Sequence, residues 1–265
     1  MPIRTRGLPR WLRSAPLLIG LALVPPLTAL GAQQVAAPPT PEQIAQRHRD
    51  EDERLRTDWA GLRRYAQANA ELPAPRPDEQ RVVFLGNSIT EGWARHFPAM
   101  FPGKPYVNRG IGGQTTPQML VRFRQDVVAL RPAVVVILAG TNDIAGNTGP
   151  ATLEMIQANL MSMTEIAQAN GIRVVLSSVL PAYEFPWRRG LEPAPKIVAL
   201  NAWMQAYAAR VGAVYLDYHS AMADERQGLR AALTTDGVHA TEAGYRVMAP
   251  LAERAIAEAL RRSVR

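Results

Sequence analysis

Cysteine is absent from the 265-residue chain, which excludes disulfides, zinc–thiolate centres and a lipid anchor attached through a cysteine. A chain without thiols folds equally well inside or outside the cell. Histidine is scarce: His48, His96, His219 and His239 are the only four, so each candidate base is easily weighed. No dense basic run accompanies the net charge of +7. Arg4, Arg6, Arg10 and Arg13 supply four of those seven charges in a stretch, residues 1–31, that holds no acid. The remaining +3 is dispersed, which argues against a nucleic-acid partner. Nor does any uninterrupted apolar run near the start reach the ~20 residues of a membrane span. Ala15 to Val24 is apolar but for Pro16 and Gly20, and Pro25-Pro26 ends it.

A basic start, a short apolar run and small residues at Ala29 and Gly31 read as a secretory signal peptide over residues 1–31, with cleavage near Gly31–Ala32. The mature protein is therefore expected to be exported, periplasmic or extracellular, without a stable membrane anchor. Residues 32–80 form an extension: a Gln/Ala/Pro tether, then a helix opening at Thr40-Pro41-Glu42 with Pro in its first turn. Ile44, Leu55, Trp59, Leu62 and Tyr65 give this charged helix an irregular apolar stripe, and Leu72-Pro73-Ala74-Pro75 ends it.

From residue 81 to 262 the chain alternates between strand and helix patterns. Apolar runs at 81–86, 106–111, 133–139, 173–180 and 213–218 read as five strands. Helical spacing marks Met119 to Leu130, Leu153 to Ile166, Ile197 to Tyr207 and Tyr245 to Leu260. Val134 to Leu138 is apolar at every position, the pattern of a strand buried on both faces. The expected architecture is a three-layer α/β/α domain around a parallel sheet.

Four segments at predicted strand ends or near the last helix carry candidate chemistry. Gly86-Asn87-Ser88-Ile89-Thr90 puts Ser88 just past the first strand, where open α/β sheets bind ligands. Ser88 with Glu91 also fits a helix capping box. Gly110-Ile111-Gly112-Gly113-Gln114-Thr115 follows the second strand; Thr115 stands where a dinucleotide fingerprint needs its third glycine, leaving either a tight turn or a backbone N–H free to approach a reacting oxygen. Gly140-Thr141-Asn142-Asp143 follows the third strand, with Asn142 a turn former or an amide donor. Asp236-Gly237-Val238-His239 precedes the last helix, and an acid three residues before a histidine can hold its Nδ1–H, leaving Nε2 as a base. His219, with Asp217 two residues before it, is the rival; a strand carboxylate rarely curls onto its i+2 neighbour, so His239 is preferred.

These four blocks, in this order, resemble the SGNH or GDSL-like hydrolase superfamily over residues 81–262. The resemblance implies a flavodoxin-like sheet of five parallel strands and a carboxylic-ester hydrolase needing no metal or other cofactor. It assigns Ser88 as nucleophile, His239 as base, Asp236 as its orienting acid, and Ser88 N–H, Gly113 N–H and the Asn142 side chain as the oxyanion hole. Two positions depart from the family pattern: Asn87 stands where Asp precedes the serine, and Gln114 where Asp often follows the oxyanion glycine. The absence of Gly-x-Ser-x-Gly separates the chain from α/β-hydrolases. For an exported member, the implied substrate is an O-acetyl or other short acyl ester of a carbohydrate, with a lysophospholipid or other lipid ester as the alternative. A non-catalytic glycan-binding module is the alternative of another class. Tyr183 and Trp187, in the Pro-rich loop 181–189, are candidates for stacking on sugar rings.

Overall fold

A computed structural model describes residues 40–263, so the expected signal segment lies outside the described residues. In chain order the elements are α1 (Pro41–Thr57), α2 (Ala66–Glu71), β1 (Val82–Gly86), α3 (Ser88–Trp93), α4 (Phe97–Met100), β2 (Tyr106–Gly110), α5 (Thr116–Asp126) and β3 (Val134–Leu138). They continue with α6 (Thr141–Ile144), α7 (Leu153–Ala169), β4 (Arg173–Ser177), α8 (Pro193–Val211), β5 (Val214–Leu216), α9 (His219–Met222) and α10 (Glu242–Arg261).

All five strands are parallel, in the order β2-β1-β3-β4-β5, the flavodoxin-like arrangement. Alternate residues of each strand feed two cores. Val83, Leu85, Val135, Ile137 and Leu176 pack with Met119, Phe123, Leu160 and Met204 of α5, α7 and α8 on one face. Val82, Phe84, Val136 and Leu138 pack with Ile89, Trp93, Tyr245 and Met248 of α3 and α10 on the other. Full burial of such a side chain contributes about 1.5–3 kcal/mol, which is why the strands read as unbroken apolar runs. The run 173–180 is strand only to Ser177: Val179 leaves the sheet and pairs with Asn201, whose Oδ1 accepts its N–H (2.8 Å) and whose Nδ2 donates to its carbonyl (3.0 Å).

The charged segment after Thr40 is two helices rather than one. Asp58 stops the first by accepting the N–H groups of Leu62 (2.7 Å) and Arg63 (2.9 Å), and Gly61 turns the chain at φ +68°. The stretch beyond this stop, residues 59–69, is hydrogen-bonded along its length to residues 110–126: Tyr65 Oη donates to the Gly110 carbonyl (2.5 Å), and Gln118 Nε2 to the Trp59 carbonyl (2.6 Å).

Candidate active site

In the sheet register Gly86 lies beside Gly110 on one side and Leu138 on the other, so the loops after β1, β2 and β3 leave the carboxyl edge side by side. Ser88, Gly113 and Asn142 stand on these three loops. The capping-box alternative for Ser88 fails: Asn87 is the N-cap of α3, its Oδ1 accepting Ile89 N–H (3.0 Å), and Ser88 is the first helical residue. Glu91 instead accepts Gly112 N–H through Oε2 (2.9 Å), tying α3 to the β2 loop. The Asn87 carbonyl oxygen does here what an Asp oxygen would do as a cap, since both accept an N–H.

Ser88 Oγ lies 2.9 Å from His239 Nε2, and His239 Nδ1 lies 2.6 Å from Asp236 Oδ2. An ionised carboxylate only accepts, so the imidazole proton sits on Nδ1 and Nε2 is left to accept from the serine. Burial raises the Asp236 carboxyl, but hydrogen bonds from the His239 ring and from the backbone N–H groups of His239 and Val238 outweigh it, holding the group at about 2. Asp236 Oδ1 takes those backbone bonds at 2.8 and 2.9 Å, and Thr234 Oγ closes the turn on Gly237 N–H (3.0 Å). α10 sets this loop against α3. Tyr245 Oη donates to the Ile89 carbonyl (2.8 Å), and its ring stacks on Trp93 with centroids 5.4 Å apart. Nothing in the sequence pattern marks Tyr245 as more than a core position, yet it links the elements that carry Ser88 and His239.

His219 is not at this site. It lies buried at the start of α9, where its backbone N–H donates to Ser178 Oγ (2.9 Å) and its Nε2 has no hydrogen-bond partner among the described residues. Burial lowers its proton affinity against the opposing charge of Asp217.

Gly113 has φ +75° with open space around its missing Cβ, so it is glycine for its left-handed backbone rather than for lack of room. Asn142, buried after the left-handed Gly140, commits one amide hydrogen to the Gln114 carbonyl (Nδ2 to O, 2.9 Å) and retains the other. The next residue, Asp143, is anchored by Thr116, whose N–H and Oγ both bond its carboxylate. Burial raises the Asp143 carboxyl, opposed by those two bonds.

Trp187 lies beside the site, its ring centroid 6.2 Å from that of His239 and stacked at 5.2 Å on the buried Phe185. Its Nε1 donates to Asn147 Oδ1 (3.2 Å), and Asn147 Nδ2 donates to the Gly113 carbonyl (3.2 Å). Asn147 is a site neighbour without a sequence signal. Tyr183 stands farther out, one ring face covered by the Arg226 guanidinium at 3.7 Å, and lines a cleft shared with Asp236 and Gly237. Among the described residues no three His, Asp or Glu side chains converge on a metal position.

Fold and site together define an α/β hydrolytic architecture with a Ser–His–Asp hydrogen-bond chain at the carboxyl edge of a parallel sheet. The model of the GDSL-like lipase/acylhydrolase family matches residues 84–247, and the chain belongs to that family. A crystal structure of a GDSL-like lipase from Bacteroides thetaiotaomicron is 48% identical, covers 76% of this chain and 100% of its own, and superposes with a TM-score of 0.74. The crystal structure of a different protein, from Bacteroides fragilis, is 51% identical over 77% of this chain and 100% of its own, with a TM-score of 0.75. The acetylxylan esterase of Xylanibacter ruminicola is 28% identical over 221 residues, 70% of this chain; this chain spans 45% of that esterase.

Proposed function

We propose that the protein is a serine esterase acting on O-acetyl or other short acyl esters of carbohydrate. The hydrogen-bond chain from Ser88 through His239 to Asp236, at 2.9 and 2.6 Å, is the observation that carries this reading. Ser88 Oγ attacks the ester carbonyl carbon and its proton passes to His239 Nε2. The carbonyl oxygen becomes an oxyanion facing the Ser88 and Gly113 N–H groups, neither bonded within the described residues, and the second amide hydrogen of Asn142. Collapse breaks the ester C–O bond, and the alcohol leaves with the proton from His239. Water then attacks the acyl-serine, giving its proton to His239, which returns it to Ser88 as the acid is released. Asp236 remains a carboxylate throughout and stabilises the imidazolium.

Two observations favour the sugar alcohol. The relative from Xylanibacter ruminicola is an acetylxylan esterase, and Trp187, 44% exposed beside His239, offers the flat apolar surface on which sugar rings stack. One observation favours a lipid ester: a groove of about 840 Å³, floored by Ala194, Pro195, Val198, Ala199 and Ala202 of α8, has the apolar lining of an acyl-chain site and shares Tyr183 and Glu184 with the cleft at Asp236. The deciding measurement is turnover across p-nitrophenyl esters of increasing chain length, beside acetate release from acetylated xylan. The expected result is a maximum at acetate, with acetate freed from the glycan; a maximum at long chains with an untouched glycan would transfer the protein to lipid esters.

The oxyanion assignment has its own expected result. Asn142→Ala should lower kcat by roughly 10²–10³ with KM little changed, the usual loss on removing one such donor. Asn142→Asp should be worse, because its carboxylate would face both the developing oxyanion and the Gln114 carbonyl 2.9 Å away. A pure turn former would tolerate Asp, so equal kcat in wild type and Asn142→Asp would reduce the residue to a turn.

A further inference from the structure

The buried polar groups beneath the β2 loop form one network that leads from the site to the segment preceding the sheet. Gln114 is fully buried and uses both ends of its side chain: Nε2 donates to the Ala60 carbonyl (2.7 Å), and Oε1 accepts from Arg122 Nε (2.6 Å). Its backbone carbonyl is the acceptor that orients Asn142. Arg122, also fully buried, donates from Nη2 to the Gly86 carbonyl (3.1 Å), two residues before Ser88, and pairs through Nη1 with Asp126 (3.0 Å). The other Asp126 oxygen accepts from Asn69 (2.7 Å), so the segment holds the network at two points nine residues apart, Ala60 and Asn69.

A buried ion pair is a poor source of net stability, because desolvation of both charges offsets their attraction. Such a network is better suited to fixing one geometry, since each member loses a partner if any member shifts. The backbone of Gly61 lies against Gln114: a Cβ at this position would meet Gln114 Nε2 at 3.1 Å and Ile111 Cδ1 at 3.2 Å, at a φ of +68° that side chains disfavour. Glycine is what allows the segment to come this close.

We propose that residues 59–69 are a strap that sets the oxyanion hole, with Gln114 and Arg122 as positioning residues acting through Asn142 and through the strand end before Ser88. The proposal rests on the oxyanion role given to Asn142 above. A displacement of the order of 1 Å at such a donor lowers rates by up to about 10²-fold, which is the scale available to residues that never touch substrate.

The test uses the full chain with p-nitrophenyl acetate. Gln114→Met removes both side-chain hydrogen bonds without adding charge. Gly61→Ala keeps both side chains of Gln114 and Arg122 but crowds the strap against Gln114 Nε2, so it serves where the first variant folds poorly. In a variant shown by thermal melting to be folded at the assay temperature, kcat should fall about tenfold to a hundredfold with KM near the wild-type value. In an Asn142→Ala background the same substitution should lower kcat clearly less than in the wild type, because one of the two groups it positions is gone and only the Arg122 contact with the Gly86 carbonyl is left to disturb. A purely structural role would not give that coupling. Wild-type kcat in folded Gly61→Ala and Gln114→Met, beside an inert Ser88→Ala, overturns the strap and leaves the esterase reading standing. A full additive loss in the Asn142→Ala background also overturns it. Turnover that survives Ser88→Ala overturns the esterase reading itself.

Discussion

Ser88→Ala should lower kcat by on the order of 10⁶, the scale seen when the nucleophile of a serine triad is removed, while thermal melting stays close to wild type. The melting prediction follows from how little of the fold the hydroxyl supports. Among the described residues Ser88 Oγ bonds only His239 Nε2, α3 is capped by Asn87, and the buried neighbours Ile89 and Trp93 hold the helix on the sheet. A fluorophosphonate should label the wild-type chain at Ser88, found by mass spectrometry of the digest, and leave the variant unmodified. Wild-type turnover in the variant, or labelling at another serine, would remove Ser88 from the chemistry and the esterase proposal with it.

The second large effect separates the two histidines that stand near acids in the sequence. His239→Ala should approach the loss seen for Ser88→Ala, because base and nucleophile act as a unit and the effects of removing either are not additive. The double variant should therefore be no slower than either single one. His219→Ala should keep wild-type kcat, since that ring is buried at α9 and its Nε2 has no partner among the described residues. The supporting acid is separable in the same assay. Asp236→Asn should lower kcat by up to about 10⁴ through loss of the correct tautomer. Because the Asp236 carboxyl is held at about 2, it stays ionised across the mildly acidic range. Its stabilising bonds are fully present above its unfolded value near 3.8 and are lost as pH falls through about 2. With the side chain 38% exposed, solvent screening keeps that contribution small. The reverse ranking of the two histidine variants would move the base to the end of β5.

Much of the fold was legible because a strand buried on both faces must be apolar at every position. That requirement writes Val82 to Leu85 and Val134 to Leu138 into the chain as continuous runs, and the helices between them as apolar residues at helical spacing. The candidate site was legible for a related reason. A parallel sheet sends the ends of adjacent strands to one edge, so Gly-Asn-Ser, Gly-Gly-Gln-Thr and Gly-Thr-Asn-Asp, each read as following a strand, had to be neighbours once the strands were. The pairing of Asp236 with His239 is local, three residues apart, and a turn can make it without help from the rest of the fold.

What the sequence left open depends on contacts between segments far apart in the chain. Ser88 and His239 are 151 residues apart, and their 2.9 Å contact exists because Tyr245 and Trp93 dock α10 on α3. The stretch 59–69 reads as part of one charged helix, since helical spacing reports only which side of an element is apolar. Its helix stop at Asp58 and its hydrogen bonds to Gln114, Gln118 and Asp126 appear only when the partners are in place. Gln114 shows the division most clearly. In the sequence it is a departure from a family pattern; in the structure it is a buried amide with a carbonyl at one end and a guanidinium at the other. The chain's own pattern determined the α/β/α layering, the sheet edge that carries the site and the local acid–histidine turn. Tertiary structure alone brought His239, already preferred on its local acid, to within 2.9 Å of Ser88 and decided what holds the β2 loop, because hydrogen-bond geometry between distant residues leaves no periodicity in the sequence.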